Sequence, residues 1–366
     1  MLEAIARAFV AHGDDVEIVT SSLPRGFSEM SAPGYRISRA AVRRDSRGYL
    51  RGYIPYLSFD IPLFFRLLFR GRPDVYLIEP PPTSGAVMRC ISWLKRRPYY
   101  YDAADIWSDA AILATSNRLV LSLLRTVELF ALKGAAKIFT ISPGVSDRLR
   151  QLGVTRDIEV SGFGVDTTVF ACDASYSHER DYFVYAGTFS EPHGASIFID
   201  AFAEFSRTHP TYTLKFVGNG TDRDALESRA RERGITKIEF MNPVAPEELN
   251  VLLNGAVASL ASLKPGTGYE YAFTTKIYAS LASGCPVIFA GPGPTFSFIS
   301  GLADTVPAGS AAEYKVPLVV EMMTKMSATR LPNSGRKKLS DWSRARFSID
   351  SVAQGIVASI RRDRAS

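Results

Sequence analysis

The sequence is poor in cysteine, histidine and tryptophan, with three, four and three in 366 residues. Cys90, Cys172 and Cys285 lie far apart, in no metal-ligand spacing. That argues against a disulfide framework and a structural metal site, and in favour of reduced, mostly buried thiols in a reducing compartment. No run approaches the roughly 18 apolar residues of a membrane-spanning helix. No signal peptide is expected, because Met1 leads straight into "LEAIARAFVAHG", an amphipathic helix pattern. The G-x-G-x-x-G turn of a dinucleotide oxidoreductase follows no early strand, which sets that class aside. Internal repeats and low-complexity tracts are absent too.

What is present is an ordinary folded composition, 46% hydrophobic and 22% charged. The formal charge is +6 and the pI about 9.1. Such a balance favours an anionic partner: a nucleic acid, a nucleotide or an acidic lipid surface. The basic clusters Lys95-Arg96-Arg97, Arg336-Lys337-Lys338 and Arg361-Arg362 are separate, and each reads as a solvated face.

Short apolar runs alternate with helix-period segments. "VEIVT", "VYLIE", "PYYYDA", "KIFTIS" and "IEVSGF" read as strands in the first half. "YFVYAG", "TLKFVG", "KIEFM", "VASLAS" and "PVIFAG" repeat the pattern in the second. Strands apolar on both faces and joined by helices imply parallel sheets covered on both sides. The fold class is therefore α/β, with two Rossmann-like domains. Their expected limits are 1–165 and 175–345, with a final helix, 346–366, packing back on the first domain. A turn-rich stretch is expected near Pro332–Gly335. The first domain opens with a helix where a doubly wound fold has a strand, so the expectation is that the first strand is absent or that the assigned start lies too late.

Ligands of open α/β sheets bind outside the carboxyl ends of the strands. In the second block those ends carry Gly187-Thr188, Gly218-Asn219-Gly220, Asn242-Pro243-Val244, Ser262–Tyr271 and Gly291-Pro292-Gly293. Glycines there let a backbone approach a ligand, or simply form tight turns. Ile277, Tyr278, Leu281 and Ala282 have helical spacing, with Gly284 at the expected end. Thr274 or Thr275 would cap this helix, and Lys276 would open it facing the site. A helix start carrying a lysine and a hydroxyl suits an anion, a diphosphate above all. Lys264, in "LKPG", would supply a second cation. The alternative is a solvent-facing lysine on a capped helix.

The order and spacing of "DIWSDA" (Asp105–Ala110), "ISPGVSDRLRQLGV" (Ile141–Val154), "VYAGTFSEPHG" (Val184–Gly194) and "TTKIYASLASGCPVI" (Thr274–Ile288) carry a resemblance. So does "GFGVDTTVF" (Gly162–Phe170) at the domain junction. The chain resembles group 4 retaining glycosyltransferases, in particular bacterial O-antigen and exopolysaccharide sugar transferases. The resemblance implies a GT-B fold, two Rossmann-like domains facing each other across a cleft. It implies transfer of a sugar from a nucleoside-diphosphate-sugar to a glycan or lipid-linked saccharide, with retention. The donor would be bound by the second domain: Gly187, Thr188, His193, Lys264, Thr275 and Lys276 toward the diphosphate, Pro243 and Val244 toward the base, with Asn219, Glu270 and Tyr271 as further donor-binding residues. Neither metal nor other cofactor is expected, and no nucleic-acid partner. The place would be cytoplasmic, peripheral on the inner membrane face, with "YIPYLSFDIPLFFRLLFRGR" (Tyr53–Arg72) as an interfacial segment or a core helix with basic ends.

Some positions depart from the family pattern. Relatives often carry two glutamates eight positions apart, where this chain has Tyr271 and Ala279. Glu270, one residue off, would contact the ribose if the loop shifts. Thr188 and His193 stand where relatives carry an arginine and a lysine. These departures keep a second expectation open, a catalytically impaired homologue acting as a glycan-binding or assembly partner. Asp105, after a strand of the first domain, is the candidate general base or, alternatively, a helix cap.

Overall fold

The computed structural model describes residues 1–23, 34–44, 53–113, 115–173 and 181–365. The chain divides into two compact units. Unit 1 is Met1–Gly162 with Asp350–Ser366, and unit 2 is Phe163–Ile349.

Unit 1 runs α1 (Leu2–Ala11), β1 (Glu17–Ser21), β2 (Arg36–Ala40), α2 (Tyr53–Phe69), β3 (Tyr76–Ile78), α3 (Pro82–Lys95), β4 (Tyr99–Ala103), α4 (Trp107–Ala110), α5 (Arg118–Gly134), β5 (Lys137–Thr140), α6 (Pro143–Gln151) and β6 (Asp157–Val160). Among the described residues its strands form two parallel sheets, β1-β2 and β3-β4-β5-β6. Strands β4 and β5 are buried along their whole length, as both-face apolar runs require. Helix α5 starts where Asn117 accepts the amides of Leu119 (3.0 Å) and Val120 (3.3 Å). Ser142 caps α6 in the same way, with Pro143 at its first position. The last helix, here α14 with its range Ile349–Ala365, belongs to unit 1 from Asp350 onward. Buried Lys137 holds it, through Ser359 Oγ (3.0 Å) and Asp363 (3.1 Å).

Unit 2 runs β7 (Tyr182–Ala186), α7 (Ser196–Phe205), β8 (Thr213–Val217), α8 (Arg223–Glu232), β9 (Ile238–Met241), α9 (Pro246–Gly255), β10 (Ala258–Ser262), α10 (Lys276–Ala282), β11 (Val287–Ala290), α11 (Pro294–Gly301), β12 (Gly309–Ala312), α12 (Val316–Ala328) and α13 (Asn333–Arg346). Its six strands are all parallel, in the order β12-β11-β10-β7-β8-β9. The chain winds outward from β7 one way and from β10 the other, so the winding reverses between those two strands. One core is aromatic, with Phe183, Tyr185, Phe198, Phe202, Phe205 and Phe216. Arg336, only 2% exposed, donates to the carbonyls of Leu253, Asn254 and Ala256. It thereby satisfies acceptors left open at the end of α9.

Two strands are additional to the sequence reading. "RISRA" (β2) and "GSAA" (β12) lie at sheet edges, where polar or small residues suffice because one side needs no partner strand. The expected turn-rich stretch is instead a helix start. Pro332 sits in the extended position before Asn333, and α13 follows without a break. The segment 174–180, next to the expected junction, lies outside the described residues.

Candidate functional site

The reversal of winding in unit 2 is where a doubly wound sheet takes its ligand. The loops after β7 and β10 are tied together there. The Lys264 amide donates to the Pro192 carbonyl (2.8 Å), and Ser262 Oγ donates to the His193 carbonyl (2.5 Å). Gly187 ends β7 with φ +138°, and a Cβ there would lie 3.2 Å from Lys276 Cε and 3.3 Å from Nζ. Only glycine leaves this space. The half-buried Lys276 side chain passes under it and donates to the Tyr185 hydroxyl (2.7 Å), with Nζ 4.2 Å from the ring centre. Tyr185 passes the bond on to the Thr188 carbonyl (3.2 Å).

This ammonium has no carboxylate partner among the described residues. Burial, with no charge to offset it, pushes the Lys276 pKa down to about 7. His193 is pushed down to about 3, by burial first and then by the Lys276 charge. Its Nδ1 is buried without a hydrogen-bond partner. The loop therefore holds a neutral imidazole beside a cation with no counter-charge.

The other expected residues sort themselves. Asn219 lies beside the β7 loop, its carbonyl accepting the Phe189 amide (3.0 Å) and its Oδ1 the Gly220 amide (2.8 Å). Thr188 is exposed. Lys264 is not an open second cation, because it pairs with Glu191 at 3.3 Å on the surface. Thr275 does occupy the N-cap position of α10 but makes no capping bond. Its φ of −64° and ψ of −22° are already helical, and a cap needs an extended residue. Thr274 is buried, and its Oγ1 has no partner. The Glu270 carboxylate turns back on its own loop, accepting the amides of Thr267 (3.0 Å) and Gly268 (3.4 Å). Burial would raise its pKa, but backbone donors from Glu270, Gly266, Gly268 and Thr267 outweigh that and lower it. Tyr271 packs at a tilt against Tyr269, with ring centres 5.4 Å apart. Pro243 and Val244 follow β9, two strands from β7; Pro243 is exposed, and Val244 packs beside Val217 and Tyr278.

In unit 1, Asp105 is exposed after β4. It does not cap α4, since the amides of Trp107 (2.7 Å) and Ser108 (3.1 Å) donate to Glu128 of α5. Asp109 is buried between Arg125 and Arg148, the latter at 2.7 Å. Asp102, inside β4, is pushed up to about 7 by burial and then by the charge of Glu79.

Sequence reasoning passed over Tyr185, Asp102, Asp109 and Glu128. A tyrosine two residues before a strand-ending glycine was the one available signal for Tyr185, because a buried hydroxyl needs a partner. The expectation of no metal also passed over one Asp-x-Asp triplet, Asp222-Arg223-Asp224, which opens α8. Among the described residues no group of three or more His, Cys, Asp or Glu is placed to hold a metal ion. No described helix is long and apolar enough to cross a membrane.

Comparison with known proteins gives two family matches. Residues 1–164 match a model described as "Glycosyl transferase 4-like domain". Residues 180–309 match one described as "Glycosyl transferases group 1". No curated protein sequence matches the chain. Among solved structures, sucrose-phosphate synthase from Thermosynechococcus elongatus aligns over 99% of this chain and 92% of its own, with TM-score 0.76 and 17% identity. Anabaena HepE in complex with UDP and glucose covers 98% of this chain and 94% of its own, at TM-score 0.70 and 16% identity. A glycosyltransferase from Rickettsia africae covers 98% and 93%, at TM-score 0.66 and 12% identity. Likeness at these identities establishes the fold.

Proposed function

Because the chain belongs to the GT4-like glycosyltransferases of the GT-B fold, we propose that it moves a sugar from a nucleoside-diphosphate-sugar to a glycan or lipid-linked saccharide. The observation that carries this reading is Lys276. It is a shielded ammonium with no counter-charge, at the point of the sheet where ligands bind. A departing diphosphate supplies the missing charge, and the lysine in turn stabilises the leaving group. HepE, similar in fold, has been solved with UDP and with UDP-glucose. That supports a diphosphate donor in unit 2.

In this reading the reaction retains configuration. The leaving phosphate takes the acceptor proton, while the protein holds the reactants in place. Asp105 serves the acceptor side from unit 1, and no metal or other cofactor is required. The acceptor is met at the cytoplasmic membrane face, in keeping with the exposed apolar residues of α2.

A second reading is favoured by specific observations: Lys264 is paired, the Glu270 carboxylate is turned inward, and neither Thr188 nor Ala279 supplies charge. In it the chain is an impaired homologue that binds a glycan or assembles with a partner enzyme. Titration calorimetry with a panel of UDP- and GDP-sugars separates the two. Saturable binding of one donor, followed by its consumption with a saccharide acceptor, is the outcome expected. Absence of binding to every donor would support the second reading.

A further inference from the structure

Eleven of the twelve large hydrophobic side chains exposed among the described residues lie in unit 1, and nine stand on three of its helices. Helix α2 turns Leu63 and Leu67 inward and Leu57, Ile61 and Phe65 outward, one turn apart. Helix α5 presents Leu119, Leu123 and Phe130. Helix α3 packs against both, and its residues between them, Ala86 and Val87, are small. The step from large to small leaves an open groove of about 480 Å³. Its polar lining is confined to Asp60, Thr83 and the thiol of Cys90. Asp60 is 3% exposed; one oxygen accepts from Ser84 Oγ (2.5 Å) and the other has no partner. Burial pushes its carboxyl up.

The surroundings of the groove select its occupant. Unit 1 holds 25 Lys and Arg against 18 Asp and Glu, a net of +7. Exposed Arg96 follows Trp93 and Leu94, exposed Arg118 precedes Leu119, and neither has an ion-pair partner among the described residues. An extended peptide would bring amides and carbonyls that this lining cannot satisfy, whereas a hydrocarbon chain brings none. Cationic side chains beside apolar ridges favour an anionic headgroup. We infer that the groove between α2, α3 and α5 seats one hydrocarbon chain of an anionic membrane lipid. This rests on the membrane part of the proposed function and is independent of the donor site.

Cys90 reports on the groove directly, being the exposed thiol where Cys172 is partly buried and Cys285 buried. Its reaction with Ellman's reagent is followed in the full chain, with Cys90→Ser identifying its phase. Two probes are used: long-chain phosphatidylglycerol vesicles and monomeric dihexanoyl-phosphatidylglycerol. Both should slow the reaction, roughly tenfold when nine-tenths of the grooves are filled. Ala86→Phe, which fills the floor, should remove that protection while UDP binding stays as in wild type. Vesicle binding without protection of Cys90, or equal protection in Ala86→Phe, overturns the groove and leaves surface docking. Equal protection by neutral phosphatidylcholine overturns the choice of an anionic lipid. Failure to bind vesicles at all overturns both the groove and the membrane reading, but not the donor site.

Discussion

The two units handle charge in opposite ways. Unit 1 is strongly basic, at +7, yet three of its buried or half-buried ionic groups are matched. Asp109 lies between two arginines, Lys137 is met by Asp157, Glu159 and Asp363, and Glu128 accepts two amides and the Ser108 hydroxyl. Unit 2 holds 18 basic residues against 19 acidic, a net of −1, and among the described residues exposes one large hydrophobic, Val251. Its buried Arg336 is satisfied by three carbonyls. Lys276 is shielded with neither an anion nor a carbonyl among the described residues, only the Tyr185 hydroxyl. Matched groups such as these hold a fold together. An unmatched one costs stability and persists where a ligand completes it.

Substitutions can break that comparison, and they differ in size. The largest effect should come from Glu128→Ala, which strips partners from two amides at the start of α4. A loss of about 3 kcal/mol is expected in denaturant unfolding, with UDP affinity unchanged. Loss of UDP affinity as well would mean the units are not separable in this way. Next is Lys276→Ala. Removing a charge-assisted hydrogen bond of about 2 kcal/mol should weaken UDP binding roughly thirtyfold in calorimetry, without lowering the melting temperature. Unchanged affinity, or a destabilised fold, would make the lysine a structural group like those of unit 1. Gly187→Ala comes third. Its φ of +138° and the 3.2 Å approach to Lys276 should shift the ammonium and cost affinity by about 1 kcal/mol. Smallest is Lys264→Ala, which removes a pair whose side chains are 43% and 58% exposed. Under ~0.5 kcal/mol is expected in stability.

The units also differ in how far the sequence exposes them. Strands apolar on both faces, such as "YYYDA" and "VASLAS", stood out because burial on two sides leaves no other composition. The edge strands β2 and β12 carry no such demand and blended into loops. At the site, the glycine after β7 and the lysine after "TT" were legible as a strand end and a helix start. Tyr185 was not, since a tyrosine in an apolar run reads as core until its hydroxyl is seen to accept from Lys276. The missing capping bond of Thr275 and the inward turn of the Glu270 carboxylate were not legible, for one reason. Whether a side chain caps a helix or folds onto its own loop depends on backbone angles that residue type does not dictate.

Proton linkage gives the most direct test of the central claim. The Lys276 pKa is lowered to about 7 in the folded protein, against an ordinary value near 10.4. Between those values the folded chain binds fewer protons than the unfolded one, so stability without ligand should rise with pH across that window. A bound diphosphate restores the charge and should draw a proton back. Calorimetry of UDP binding at about pH 8.5, in two buffers of different ionisation enthalpy, counts that proton. The account predicts uptake approaching one proton in wild type and none in Lys276→Met. Identical heats in the two buffers for wild-type protein would contradict it.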